Sequence, residues 1–458
     1  MRKTLLFLLS GVALVAIYIV LLVAFPKNAV LLPFLFILLL LDGYLWFSVK
    51  EKVFALVPIF RYLILGLYWL PFMLMVSSII TGMVIPFVDW NIAFRTYLTG
   101  FILVFYVARF FPALFLLIAD IIRLLQLGIA SFQYGKEVSL AYYRRSKALL
   151  ISGWTIGAVL FILLLYGMVI GNYDFQVKRV EINLPELASS FNNLRIVQLS
   201  DIHLGSWTSA EKLKEAVSIV NSLKPDLIFF TGDLLDYCTK DVDGFKPILA
   251  ELSAPNGIFA ILGNHDYGDY VRWASAEEKR MDHLELFNYY KSLGWKLLLN
   301  ENSLLVKGKD SLAIIGVENW GSTRRFQRFA DMDKAMRGIE NVGVQLLLSH
   351  DPSYWDKVIS RKFKNIDVTF SGHTHGFQFG IECFGIRWSP AQYMYKEWAG
   401  LYSSPVKDSH PQYLYVNRGL GSIGYPGRVG IFPEITLIIL HNSISKSYLS
   451  RHVSHTRL

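Results

Sequence analysis

Two hydrophobic patterns divide the chain. Up to residue 170, apolar side chains run on for about twenty positions at a time between short polar joints. An α-helix rises about 1.5 Å per residue, so roughly 20 such residues cross a ~30 Å hydrocarbon core. Five runs have that length: Thr4–Phe25, Ala29–Ser48, Ile59–Gly82, Phe94–Ile118 and Leu149–Ile170. The pattern predicts a membrane domain of about five transmembrane helices over residues 1–170. The first run follows Arg2 and Lys3 as a signal peptide would, but it is too long and no small-residue cleavage site follows. It is expected to stay as an anchor. The stretch Asp120–Ser146 is partly amphipathic and is expected on the cytoplasmic surface.

Over residues 171–458 the apolar runs become short, and each stops at a polar cluster. They are Leu194–Leu199, Leu227–Phe230, Ile258–Leu262, Leu312–Val317, Val344–Leu348, Val368–Phe370, Tyr413–Val416 and Ile435–Leu440. Short runs rich in Val, Ile, Leu and Phe suit strands buried on both faces. Between the first two, Thr208–Leu223 reads as an amphipathic helix opened by a capping box of Thr208 with Glu211 and closed before Pro225. Strand, helix and strand make a βαβ unit and so a partly parallel sheet.

With 53% hydrophobic and 18% charged residues among 458, the chain is neither a disordered polymer nor an ordinary soluble enzyme. Its net charge of +9 is uneven. The first 170 residues hold 13 Lys/Arg against 5 Asp/Glu; the rest hold 32 against 31. The near-neutral second part carries no electrostatic footprint for nucleic acid. In the first part, Arg2, Lys3, Lys50, Lys52, Arg123, Lys136, Arg144, Arg145 and Lys147 fall on one side of the predicted spans. Only Lys27 and Arg95 fall clearly on the other. The crowded side is expected to be cytoplasmic, which puts everything after residue 170 outside the cytoplasm. Asp42 and Arg109 lie inside spans, where charges face the bundle interior or water. They predict an internal pair or snorkelling, with a lipid-phosphate pocket as the alternative. Two cysteines, Cys238 and Cys383, exclude a disulfide scaffold and can be free or bridged. No feature of the sequence dictates an oligomeric state.

The candidate chemistry stands at the strand ends. The first run ends in Ser200-Asp201-Ile202-His203, the second in Thr231-Gly232-Asp233 and the third in Gly263-Asn264-His265-Asp266. The fifth ends in Ser349-His350 and the sixth in Ser371-Gly372-His373-Thr374-His375. Ligands of open α/β sheets bind beyond the carboxyl ends of the strands, and half of the ten histidines stand there. Imidazole, carboxylate and carboxamide together suit divalent Mn, Fe, Zn or Co rather than a soft-thiolate site. A pair of ions ~3.5–4 Å apart needs about six ligands and a bridging carboxylate. Asp201, His203, Asp233, Asn264, His350, His373 and His375 supply that number, with His265 left over. Gly232, Gly263 and Gly372 are expected to permit the sharp turns that deliver them.

The ordered set Asp-x-His, Gly-Asp, Gly-Asn-His-Asp, a lone His and Gly-His-x-His resembles the calcineurin-like metallophosphoesterases, over roughly residues 194–441. The phrases Leu194–Gly205 and Tyr415–Gly421 resemble the membrane-anchored branch, the transmembrane proteins with a metallophosphoesterase domain. The resemblance implies an α-helical membrane bundle followed by an α/β four-layer (αββα) sandwich of two sheets flanked by helices. It implies Asp201, His203 and His375 on one metal, Asn264, His350 and His373 on the other, and Asp233 bridging. His265 and Asp266 become catalytic: His265 contacts the substrate phosphate and assists the leaving oxygen, and Asp266 orients the His265 ring. The implied reaction is hydrolysis of phosphate mono- or diesters by a hydroxide formed between the metals, without a covalent intermediate. Membrane lipids surround the anchor, so the expected substrate is envelope or lipid-linked. The alternatives are a nucleotide-sugar-lipid pyrophosphatase of the lipid A pathway type, which works from the cytoplasm, and a non-catalytic scaffold on the same fold.

Several residues carry plainer expectations. His283, His410, His441, His452 and His455 lie outside the motifs and read as surface or packing residues. Tyr267 and Gly268 can border the phosphate or form a turn. Asn417 and Arg418 can approach the site, and Arg324 with Arg325 reads as a solvated pair or a phosphate clamp. The aromatic stretch Tyr267–Leu293 reads as a helix packed on the sheet, or else as a lid on the membrane; Trp388–Trp398 poses the same choice.

Overall fold

The computed structural model describes residues 31–135, 143–321, 328–404 and 411–442. The first apolar run, Arg324 with Arg325, and His410, His452 and His455 lie outside them. The chain divides into two compact units between Leu165 and Tyr166.

Among the described residues, four helices are long and apolar enough to cross a membrane: α1 (Leu32–Phe54), α2 (Pro58–Val84), α3 (Ile92–Tyr134) and α4 (Lys147–Val169). Asn91 caps α3 by accepting from the Phe94 amide, and Gly135, at φ +87°, ends it. The 43 residues of α3 reach about 64 Å, twice a hydrocarbon core. Its second half therefore leaves the bilayer or runs along it, where the sequence pattern is amphipathic.

Polar side chains hold the bundle together. Arg109 of α3 donates to Asp42 of α1 at 2.8 Å, and Tyr106 donates to the other carboxylate oxygen at 2.9 Å. The guanidinium lies 4.4 Å from the Tyr68 ring centroid and also bonds the Tyr68 carbonyl. Of the two readings of these charges, the internal pair is what forms. Nearer the α1 C-terminus, Tyr44 donates to Asp120 of α3, which also receives Arg123 and both ends of the Arg145 fork. Gly153 and Gly157 of α4 lie against α3: a Cβ at Gly157 would stand 2.5 Å from the Ala108 carbonyl oxygen. Lipid tails are as apolar as Leu, so close backbone approach at small residues is what holds such helices in contact.

The second unit is built on two six-stranded sheets. The first has the order β1 (Gln176–Asn183), β14 (Glu434–His441), β2 (Leu194–Leu199), β3 (Leu227–Phe230), β4 (Ile258–Ala260) and β5 (Lys296–Leu297). The second runs β12 (Gly400–Ser403), β13 (Tyr413–Val416), β9 (Val368–Ser371), β8 (Val344–Leu348), β7 (Asp310–Gly316) and β6 (Glu301–Lys307). A hairpin of β10 (Ile381–Cys383) and β11 (Ile386–Trp388) stands apart from both. Side chains two apart on a strand share a face, and that period sorts the core. Ile196, Phe229, Ile314, Leu346 and Phe370 fill the space between the sheets. Val197, Ile228 and Phe230 point the other way, onto α5 (Ala210–Ser222) and α6 (Ala276–Ser292). Ala313, Ile315 and Leu347 pack outward under the short helical turns Met332–Ala335 and Trp355–Ile359. Helices, two sheets and helices make the four layers expected, the last of them thin.

The βαβ unit forms, with β2 and β3 parallel and Ile196 level with Leu227. Its cap differs from expectation. Ser209 accepts from the Lys212 amide, while the Thr208 hydroxyl is taken by Tyr173. The strands the pattern missed include β1 and β6. Each lies at a sheet edge: charged residues interrupt β1 throughout, and β6 holds only the three-residue apolar stretch Leu304–Val306 among polar neighbours, so neither reads as a buried strand. Cys238 is a buried free thiol and Cys383 an exposed one.

Removing the charge on Arg109 strands Asp42, which has no exposed surface. Arg109→Leu should destabilise the bundle by about 3–5 kcal/mol, and the double variant Asp42→Leu/Arg109→Leu should recover most of that loss. Thermal unfolding in detergent micelles measures both.

Candidate metal centre

The five motifs meet at one place because they follow parallel strands whose C-terminal ends point the same way. Asp201 and His203 follow β2, Asp233 follows β3, and Asn264, His265 and Asp266 follow β4. His350 follows β8, and His373 and His375 follow β9, so both sheets contribute.

The chain turns sharply to aim these groups. Asp201, His203, Asp233, His373 and His375 all hold positive φ, from +50° to +73°. For a residue with a Cβ this region is sparsely populated and costs of order 1–3 kcal/mol, so it persists only where surrounding contacts enforce it. Of the three glycines expected to make turns, only Gly232 does so by its dihedral, at φ +93°. Gly263 and Gly372 act by close approach instead. A Cβ would stand 2.2 Å from the Asp233 carboxylate at Gly263, and 2.3 Å from that of Asp201 at Gly372.

Two clusters result, with Asp233 common to both. In one, Asp201, His203, Asp233 and His375 each offer an atom within 4.8 Å of the others; Asp233, His350 and His373 do so in the second. His203 Nε2 lies 3.1 Å from His375 Nε2, which is 3.2 Å from Asp201 Oδ1. His350 Nε2 is 3.2 Å from Asp233 Oδ2, from Asn264 Oδ1 and from His373 Nδ1. The structure therefore gathers all seven residues singled out as metal ligands.

The outward nitrogens of three rings are fixed. His203 Nδ1 meets the Leu235 carbonyl and the Asp236 carboxylate, each at 3.0 Å. His350 Nδ1 donates to the Thr231 carbonyl at 2.7 Å, and His373 Nε2 meets the Tyr395 hydroxyl at 3.0 Å. The other nitrogen of each ring is thereby left to face the cluster, the arrangement that orients histidines toward a metal. Both carboxylates are tied as well: Asp201 accepts from the His373 amide, and Asp233 from the His265 amide at 2.8 Å.

Electrostatics follow from the crowding. Burial opposes a proton on His203, but Asp236 and Asp233 outweigh it and raise the ring to about 9. Burial likewise opposes a charged His350, and Asp233 overrides it to about 10. At His375 burial prevails and lowers the ring to about 4. Burial pushes the Asp201 and Asp233 carboxyls up, yet the imidazoles of His375 and His350 hold them below the usual carboxylate range. The raised pKa values of His203 and His350 show that this crowd of donor atoms, 3.1–3.2 Å apart, favours positive charge among them. The mixed imidazole, carboxylate and carboxamide donors suit a hard or borderline divalent cation.

His265 lies at the rim. Its Nδ1 donates to the Asp236 carbonyl at 2.8 Å, which leaves Nε2 as the remaining nitrogen, and Tyr270 stacks on the ring at 3.9 Å between centroids. Burial lowers its pKa to about 3. Asp266 does not orient this ring, contrary to the role expected for it. Its carboxylate accepts four backbone amides, those of Gly263, Asp233, Leu234 and Leu235, and so braces the turns after β3 and β4. The Asp236 carbonyl fixes the His265 tautomer instead.

Asn417 and Arg418 lie beside the centre without entering it. Asn417 bonds Thr436, and Arg418 is paired with Glu434 and Glu382. The cation next to the cluster is Arg428, fully buried, with donors directed to the carbonyls of His375, Arg418 and Gly421. Arg428, Asp236 and Tyr395 were not singled out from the sequence. Asp236 stands three residues after Asp233, a spacing that could have signalled it; Arg428 and Tyr395 carry no local signal. Tyr267 bonds Glu318, and α6 packs on the first sheet through Leu286 and Tyr290, so the helix reading of that stretch holds.

Strand ends from two facing sheets that deliver histidines and aspartates to paired clusters define a metal-dependent hydrolase of the phosphoesterase class. Comparison with known proteins gives the family. Residues 194–377 match the model of the calcineurin-like phosphoesterases, and residues 23–172 match one described as "Probable Calcineurin-like phosphoesterase, transmembrane domain". The chain belongs to the calcineurin-like phosphoesterase family and is a membrane protein. It is 30% identical over 260 residues to the Bacillus subtilis metallophosphoesterase YkuE, covering 55% of this chain and 81% of that one. It is 30% identical to a Danio rerio transmembrane protein with metallophosphoesterase domain, over 61% of this chain and 60% of that protein. It is also 30% identical to the UDP-2,3-diacylglucosamine pyrophosphatase LpxG of Chlamydia trachomatis, over 54% of this chain and 83% of the relative. The family implies divalent metals, and the donor set here fits them.

Asp266→Ala would leave four buried amides without an acceptor. At about 1–3 kcal/mol for each unsatisfied group, the second unit should lose several kcal/mol, read as a lowered unfolding temperature. Were Asp266 only a partner of His265, stability would be unchanged.

Proposed function

We propose that the chain is a membrane-anchored, dinuclear-metal-dependent phosphoesterase acting on phosphate mono- or diesters, with an envelope or lipid-linked substrate. The observation that carries this reading is the Asp233 carboxylate shared by two donor clusters. Asp201, His203 and His375 would hold one divalent ion, Asn264, His350 and His373 the other, with Mn, Fe, Zn or Co all compatible with these donors. When bound, such a pair supplies a hydroxide nucleophile at neutral pH and neutralises phosphoryl oxygens.

The protein's own groups do the rest. The positive-φ turns hold the donors in place before substrate arrives, so little reorganisation is left for the reaction. His265 is the residue proposed to meet the phosphate and the departing oxygen through Nε2, its Nδ1–H being anchored on the Asp236 carbonyl. A phosphate beside the ring favours its protonated form and opposes the burial that lowers its pKa. Tyr270, stacked on His265, and Tyr395, bonded to His373, give the centre an aromatic border.

Sidedness is part of the proposal. Tyr44 on Asp120 ties the end of α1 that carries Lys50 and Lys52 to the end of α3 that carries Arg123, and Arg145 joins them just before α4. Cations gathered on this one face favour a cytoplasmic assignment for it, and α4 leads away from it. That supports a catalytic unit outside the cytoplasm, whatever the first apolar run does. The likeness to LpxG favours a second reading, a pyrophosphatase of lipid-linked nucleotide sugars, for which a cytoplasmic site is expected. The complete donor set argues against a scaffold without activity.

Asp233→Asn should abolish turnover and metal retention while leaving membrane insertion intact, as judged by metal content and carbonate extraction. His265→Ala should keep its metal and lose about 10²–10⁴ in kcat on an aryl phosphodiester, the usual size of a proton-transfer contribution. An Asp233→Asn protein with normal turnover removes the bridging assignment. In sealed cells, an external protease should cut the catalytic unit; protection there, with cleavage in inverted vesicles, would favour the pyrophosphatase. A screen of phosphomonoesters, phosphodiesters and lipid pyrophosphates with and without Mn then names the substrate class.

A further inference from the structure

The β10–β11 hairpin exposes apolar side chains where a water-facing surface should carry polar ones. Phe384 at its tip is 99% exposed, and Ile381 and Ile386 flank it in the open. Phe384 and Gly385 both adopt positive φ, at +50° and +79°, the conformation of a tight hairpin turn. Phe377 before the hairpin and Tyr393 and Met394 after it are exposed too. A contiguous exposed apolar patch marks an interaction surface.

What covers this patch follows from its neighbours within the second unit. That unit opens with the last turn of α4, and there Gly167 accepts from the Arg428 amide at 3.1 Å. One residue on, Val429 pairs with the strand entering the hairpin: its amide donates to Gln378 and its carbonyl accepts from Gly380. Lys178 of β1, nine residues past the end of α4, bonds Glu382 within the hairpin. The hairpin is thus fastened, by two routes, to the point where the chain leaves the membrane. Phe377 is also only two residues from His375, and the Ser389 hydroxyl after β11 bonds the Gly376 carbonyl. The same short segment therefore joins the membrane exit to the metal centre.

We propose that the β10–β11 hairpin, with Phe384 at its tip, seats in the lipid interface of the membrane that α4 spans and presents the metal centre to phosphoesters at the bilayer surface. The occupant is lipid, because the hairpin is fastened to the segment that directly follows a membrane-spanning helix. Lys178 and Arg387 stand at the base of the hairpin, where cationic side chains favour headgroups. The substrate half of this inference rests on the phosphoesterase reading; the seating does not.

The exposed Cys383 provides the probe, since Cys238 is buried. Full-length protein carrying a bimane on Cys383 is reconstituted in phosphatidylcholine–phosphatidylglycerol vesicles. Lipids with a nitroxide high on the acyl chain should quench it, aqueous iodide should not, and Phe384→Asp/Ile386→Asp should at least roughly halve the lipid quenching. Quenching by iodide alone, or self-quenching that grows with protein density, would place water or a second copy on the hairpin and overturn the proposal. Two substrates with one leaving group complete the test: bis(p-nitrophenyl) phosphate in solution and hexadecyl p-nitrophenyl phosphate in the vesicles. The double variant should leave the soluble one within about twofold and slow the anchored one about tenfold, as expected when tethering raises effective concentration. Equal effects on the two overturn the link to the active site. If neither substrate is turned over, the phosphoesterase reading fails while the quenching still decides the seating.

Discussion

Two imidazole nitrogens 3.1 Å apart, those of His203 and His375, cannot both present lone pairs to each other without positive charge between them. The same holds where His350 faces Asn264 Oδ1 and His373 Nδ1, each at 3.2 Å. Everything around the centre serves to hold these groups in that conflict. Backbone carbonyls and a tyrosine hydroxyl fix the outward nitrogens, main-chain amides fix the carboxylates, and two glycines make room for them. The fold contributes two facing sheets whose parallel strands end at one place, and a cation is what turns the conflict into attraction.

Much of the centre was legible because chemistry-bearing residues followed recognisable strands. The apolar runs at β2, β3, β8 and β13 coincide with the strands that form, since interior strands are buried on both faces and read as unbroken runs. Edge strands such as β1, with Lys178, Arg179 and Glu181 in succession but for one valine, give no such signal. The support of the site was harder to read. Tyr395 reaches His373 across 22 residues and Arg428 reaches His375 across 53, distances at which no local pattern speaks. Asp266 was legible as important but misassigned: its neighbour in sequence is His265, whereas its partners in space are four amides. Adjacency along the chain is a poor guide where a turn sends successive side chains in different directions.

The membrane part relies on a different physics. Burial of apolar surface cannot hold helices together in a solvent that is itself apolar, so packing and polar contacts take over. The spacing Gly153-x-x-x-Gly157 is a sequence signal for such packing, and the Asp42–Arg109 pair with its two tyrosines is the polar counterpart. Neither the glycine pair nor the tyrosines could be told from ordinary span residues by hydropathy, which counts apolar character and ignores which face meets which neighbour.

The left-handed backbone at Asp201, His203, Asp233, His373 and His375 has an evolutionary consequence. These positions hold residues that local conformational preference would replace with glycine or asparagine. A change to glycine at His203, His373 or His375 would relax the backbone and remove a donor in one step, so mutation there could erase the chemistry while sparing the fold.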